Sequence, residues 1–189
     1  MRVDDLWYLA DQADQFAQQR YHDLRDRHDD PMEVTRTRYV SRRRFRTLAE
    51  RTNRTGAPYG AHTIVYRTDG AVLLVRHEGV DLWVLPGGGI DGDESYREAA
   101  ARELREEAGV EVSYDGLAIL TRLRIVSGEQ SMCGVLPVYA ARAKTTDPDI
   151  TDPDDEISAA RWFHRLPEDT RDREDLLAWR ERNLPELTG

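Results

Sequence analysis

Glu103, Glu106 and Glu107 fall within five residues of one another, in the run Arg102-Glu103-Leu104-Arg105-Glu106-Glu107-Ala108-Gly109. On a helix, which turns ~100° per residue, Glu103 and Glu107 lie about 40° apart and Glu106 about 60° to the other side. Carboxylates packed this closely repel one another unless positive charge sits among them. The opposite face, Ala100, Leu104 and Ala108, is small and apolar and would seat the helix on a sheet. All-oxygen clusters of this kind suit magnesium, which takes a few carboxylates together with waters and substrate phosphate oxygens. Upstream, Gly87-Gly88-Gly89 forms a loop, and Glu94 at its end can reach back to Arg102 and hold the loop against the helix. The plainer reading of the same residues is a capped, charged surface helix with pairs such as Glu98–Arg102.

The elements that must carry this platform are legible on either side. Residues 62–68 read as a strand, Asp69-Gly70 as a hairpin turn, and residues 71–76 as the returning strand. A short apolar stretch at 82–85 leads into the glycine loop. A helix follows over 95–108, stopped by Gly109 in the left-handed cap position. Further strands are expected at 117–126 and 134–143, then an acidic, proline-broken loop at 145–156 and a last strand at 157–163. Residues 167–182 read as a C-terminal helix with Leu176, Leu177 and Trp179 on its apolar side. Before all of these, Leu6, Leu9, Ala10, Ala13, Phe16, Ala17, Tyr21 and Leu24 recur at helical steps until Asp29-Asp30-Pro31 ends the pattern. Strands with helices between and after them indicate an α/β or α+β sandwich with a helical N-terminal extension.

The spacing G-x5-E-x7-R-E-U-x-E-E-x-G-U, with U a bulky aliphatic residue, runs from Gly88 to Val110 and resembles the signature of the Nudix hydrolases at every defined position. Chance would produce it in a chain of this length roughly once in ten million. The strand order extends the resemblance over residues 60–182 and leaves 1–54 outside. The resemblance implies an α/β/α sandwich with a mixed sheet. It also implies hydrolysis within the pyrophosphate of a nucleoside diphosphate linked to another moiety, with ADP-ribose or a nucleotide sugar favoured. Nucleoside triphosphates and dinucleoside polyphosphates share the same signature.

Position by position, the resemblance makes Glu103, Glu106, Glu107 and the carbonyl of Gly88 ligands of magnesium, with manganese a substitute. Arg102 matches the arginine that orients the carboxylates, and Glu94 matches its partner. Together with Glu103 and Glu106 they form the candidate catalytic set, with Gly87 and Gly88 against the substrate. One departure is visible: Asp93 stands directly before Glu94, where many members have glycine. Glu156, six residues before Trp162, is similar to a loop glutamate that binds a metal or activates water in several members. Five other acids crowd residues 147–155, so a merely solvated charge stays open as the alternative. Arg76 resembles a substrate-contacting position. Trp83 reads as core, the histidines show no ligand spacing, and Cys133 reads as a buried apolar residue. Rival readings are an isoprenoid diphosphate isomerase, whose cysteine motif is missing here, a ligand-sensing regulator, and a calcium-binding helix without turnover.

Composition bounds the rest. A length of 189 residues fits one domain plus an extension, divided here as 1–54 and 55–189. One cysteine excludes a disulfide framework and a cysteine zinc site. No apolar run spans a membrane, and Met1-Arg2-Val3-Asp4-Asp5 does not open a signal peptide, so a soluble cytoplasmic protein is expected. A net charge of −9, from 36 acids and 27 bases, argues against nucleic acid as a partner. Only Lys144 is a lysine, a bias that a GC-rich genome or a salt-rich cytoplasm would each produce. The charge is uneven: −5 over 1–34, +7 over 35–54 and −11 over the remainder. The basic stretch, expected to be partly helical, reads either as an electrostatic belt across the acidic body or as a contact for an anionic substrate. The resemblance adds that segments before the core often serve base recognition or a homodimer contact.

Overall fold

In the computed structural model, which describes residues 3–184, the chain runs α1 (Val3–Arg27), β1 (Met32–Tyr39), α2 (Arg42–Thr55), β2 (Ala61–Tyr66), β3 (Val72–His77), β4 (Leu82–Val84), β5 (Gly87–Gly88), α3 (Tyr96–Glu107), β6 (Val112–Ser127), β7 (Gln130–Ala143), β8 (Ile157–Phe163) and α4 (Arg173–Asn183). The strands form one mixed sheet in the order β1-β6-β7-β2-β3-β4, with β5 paired to β2 and β8 to β3. β1–β6 and β2–β7 are parallel, and the other pairings are antiparallel.

Strand alternation splits the core into layers. Ile64, Val72 and Leu74 pack with Leu176 and Trp179 of α4 on one face. Their neighbours Val65, Leu73 and Val75 pack with Leu104 of α3 and with Ala108, which caps that helix, on the other. The result is the expected α/β/α sandwich, with the acidic helix seated by the small apolar residues the sequence offers for that purpose. α1 runs beside the first half of β7, which β2 is too short to cover; there the Cys133 N–H donates to Asp14 at 2.6 Å. With α2 it encloses a second apolar cluster built on Leu6, Phe45, Leu48, Leu123, Ile125 and Met132.

Two elements differ from expectation. Residues 32–39 form a sheet strand, although the basic run hides it. Positions 32, 34, 36 and 38 face inward, and at 36 and 38 the inward residues are arginines instead of apolar side chains. Arg36 pairs with the buried Asp175 (Nε–Oδ2 3.0 Å) and Arg38 with both oxygens of Asp172 (2.6 and 2.7 Å), which satisfies charges a strand interior would otherwise leave unpaired. α4 begins at Arg173, later than the apolar spacing predicts. The backbone just before it is drawn to Trp83, whose N–H donates to Asp169 O (3.1 Å) and whose carbonyl accepts from Arg171 N (2.9 Å). Among the described residues no helix is long and apolar enough to cross a membrane.

Candidate active site

α3 starts at a capping box. The Ser95 hydroxyl accepts from Glu98 N, and the Glu98 carboxylate accepts from Ser95 N at 2.8 Å. Glu98 is thereby committed, and Arg102 turns the other way. Its guanidinium donates to Glu94 (2.8 and 3.1 Å), Glu103 (2.9 Å), Glu106 (3.3 Å) and the carbonyl of Gly89 (2.9 Å). One planar fork thus ties the loop's end, the loop itself and two helix carboxylates together. The hydrogen bonds from Arg102 hold the Glu94 carboxyl below its usual range, and those carboxylates hold Arg102 firmly protonated.

The loop and helix meet closely. A Cβ on Gly88 would come within 2.6 Å of the Glu103 carboxylate, so any larger residue there would displace that carboxylate from its place beside the loop. Gly109, at φ +62°, ends the helix, and a Cβ there would lie 2.3 Å from the carbonyl of Asp149 in the acidic loop. Glu107 is buried and accepts from Gly87 N at 2.9 Å. Burial, reinforced by the nearby charges of Glu103, Asp152 and Glu156, pushes its carboxyl up to about 8 against the opposing Gly87 N–H. Burial also raises Glu103, partly offset by Arg102.

These residues open onto a cavity of about 920 Å³. Gly87, Gly88, Glu103, Glu107 and Glu156 line it, together with the strand residues Ile119, Thr121 and Leu123. Glu156 is well exposed, with its carboxylate 3.4 Å from Nε2 of His77. Arg102, Glu94 and Glu106 stand behind the wall and do not line it. Arg76 is not brought to the cavity either; it pairs with Asp169 at 2.5 Å and with Asp81. Trp83 packs edge-on against Phe163 in the core.

Sequence reasoning passed over His62, Asp152 and Asp154, which also line the cavity, and did not single out Arg44, Arg51, Arg54 or Arg171. A strand reading of 62–68 points alternate residues to alternate faces, but it does not show which end of the strand meets a cavity.

Among the described residues no three carboxylate, imidazole or thiol groups stand around one point closely enough to hold a metal. Arg102 engages Glu103 and Glu106 while Glu107 faces Gly87. The chemistry of the donors nevertheless fits a hard divalent cation. They are oxygens only, and burial, reinforced by the negative charges nearby, favours a proton on Glu107 at a place where a cation would instead offset those charges.

Fold and site together define a class: an α/β/α sandwich in which a glycine loop and an acidic helix form one unit at a cavity mouth. The NUDIX domain family model matches residues 57–183, and the chain belongs to that family. A putative 8-oxo-dGTP diphosphatase of Bacillus subtilis is 50% identical over 50 residues, 26% of this chain and 34% of that protein. An RNA pyrophosphohydrolase of Halorhodospira halophila is 49% identical over 47 residues, 25% of this chain and 26% of that protein. The chain thus covers about a third or less of these two relatives' own length. Among solved structures, a MutT NUDIX hydrolase from Burkholderia pseudomallei aligns with a TM-score of 0.43 and 25% identity, covering 63% of this chain and 95% of that one.

Proposed function

We propose that this protein is a magnesium-dependent hydrolase, with manganese as a substitute, that cleaves the pyrophosphate of nucleoside diphosphates linked to another moiety. ADP-ribose and nucleotide sugars are the favoured substrates. The observation that carries the reading is the joining of the Gly87–Gly89 loop to Glu103 and Glu107 on the wall of one cavity, clamped from behind by Arg102. Relatives named as a diphosphatase and a pyrophosphohydrolase support the reaction class. Their named substrates differ, so they do not choose among nucleotides.

Glu103, Glu106, Glu107 and the Gly88 carbonyl would hold the divalent ions. Bound there, such ions supply charge neutralisation for the pyrophosphate oxygens and acidify water. The chain's own residues do the remaining work. Arg102 fixes the rotamers of Glu103 and Glu106 and anchors the loop through Gly89 and Glu94. The Gly87 N–H orients Glu107. Glu156, exposed on the cavity wall, would take the proton of the attacking water.

Hydrolysis of ADP-ribose and nucleotide sugars in labelled water tests this. With magnesium present, one solvent oxygen is expected in one of the two phosphate products. Activity confined to phosphomonoesters, or rearrangement without uptake of solvent oxygen, would overturn it.

A further inference from the structure

The cavity has a second wall that the reaction above does not use. Arg44, Arg51 and Arg54 of α2 line it, joined by Arg171 just before α4. On α2 these three residues lie within ~80° of one another and span roughly 15 Å along the axis. They follow the edge of the stripe by which Phe45, Leu48, Ala49 and Thr52 fix the helix to the body.

The charges of this wall are free. Among the described residues, ion pairs claim Arg36 and Arg38 of β1, but none claims Arg44, Arg51, Arg54 or Arg171. In a protein of 36 acids and net charge −9, carboxylates are in ample supply. Four arginines on one cavity without a carboxylate partner therefore leave a cationic surface for something else to neutralise. Arg44 is positioned over the ring of Tyr59, 5.9 Å from its centroid. A further polar group is also unmet: Nδ1 of His62, on the same cavity, is enclosed and has no hydrogen-bond partner. α2 lies before the residues 57–183 that the family model matches, so Arg44, Arg51 and Arg54 stand outside the matched segment, and Arg171 stands within it.

We propose that Arg44, Arg51, Arg54 and Arg171 form a second anion-binding subsite, which takes a phosphate of the substrate other than those of the cleaved anhydride. Guanidinium forks bind phosphate oxygens two at a time, and their spread along α2 suits a ligand longer than a pyrophosphate. The cavity volume of about 920 Å³ lies near the top of the usual range for ligand pockets, ~300–1,000 Å³. Among nucleoside diphosphate derivatives, the subsite thereby shifts the preference from ADP-ribose and simple nucleotide sugars, which have no further phosphate, to those bearing additional phosphate. That phosphate is either a monoester on a ribose or a continuation of the polyphosphate chain. The shift in substrate preference rests on the hydrolase reading, whereas the binding of phosphate does not.

Two matched pairs of compounds test it: NADP against NAD for the monoester, and diadenosine tetraphosphate against diadenosine diphosphate for the longer chain. With magnesium, kcat/KM is expected to be at least tenfold higher for the phosphate-richer member of one pair, and that pair identifies the source. The paired substitution Arg51→Gln with Arg54→Gln, both exposed and so tolerated by the fold, is expected to bring that ratio close to one. Calorimetry on metal-free protein should order the four Kd values the same way, with the preference shrinking as salt is added. Ratios near one in both pairs, or a preference that the paired substitution does not move, would overturn the subsite. Absence of turnover on all four compounds and on ADP-ribose and nucleotide sugars, with the Kd order intact, refutes the hydrolase reading and keeps the subsite; equal Kd values refute the subsite whatever the turnover.

Discussion

Glu107 concentrates the chemistry of the site because it is the buried carboxylate of the three, and it has one backbone donor and several acidic neighbours. Glu107→Gln and Glu103→Gln keep the shape of the side chain and remove its charge. Each is expected to lower magnesium-dependent turnover about 10²-fold or more while circular dichroism stays native. Near-normal turnover in both variants would count against the platform. The pH dependence of stability follows from the same burial. The Glu107 carboxyl sits at about 8 in the folded protein against an ordinary value of 4.5, so between those values the folded state holds a proton the unfolded chain has released. In metal-free protein its contribution is intact below pH ~4.5 and is lost as the pH rises towards ~8. Melting temperatures measured across that window should fall less steeply in Glu107→Gln than in the parent. The clamp between Arg102 and Glu94 is readable from the sequence, since both ends lie within eight residues of each other beside the glycine loop. The pairing of Arg76 with Asp169 is not, because its partner is 93 residues away and no local pattern points to it.

Elements were legible where their signals are local. The start of α3 follows from Ser95 and Glu98, and its end from Gly109. The loss of β1 to a helical reading has the opposite cause: two of its four inward positions, 38 and 36, are arginines whose partners, Asp172 and Asp175, lie 134 and 139 residues further on. These two ion pairs join the first strand to the last helix, and they are the part of the basic stretch that serves as an electrostatic belt. Arg36→Ala leaves the buried Asp175 without its partner and is expected to destabilise the protein by about 1–3 kcal/mol. A double-mutant cycle with Asp175→Asn measures the coupling in urea unfolding. Additive effects of the two changes would show that the pair contributes nothing beyond its separate residues.

For the whole molecule, residues 3–55 are bound into the same sheet and core as the segment that follows. Removing them would strip the partner from β6 and uncover Leu123, Ile125 and Met132, each at most 1% exposed. A chain beginning at Gly56 is therefore expected to aggregate or to unfold without a cooperative transition, as seen by size-exclusion chromatography and urea titration. A monomeric, cooperatively folding product would show that the remaining core suffices. The parallel pairing of β1 with β6 also sets a timetable for the newborn chain. Met32 pairs opposite Ile119 and Tyr39 opposite Val126, so on the ribosome the strand has no neighbour until the later residues have emerged. At ~5–20 residues per second that interval is on the order of ten seconds. An apolar strand left waiting that long would invite its copies on neighbouring ribosomes. Arg36 and Arg38 make such encounters repulsive until Asp172 and Asp175 arrive to neutralise them. Chains stalled short of residue 119 are expected to be cut by trypsin at these arginines, and released chains to resist it.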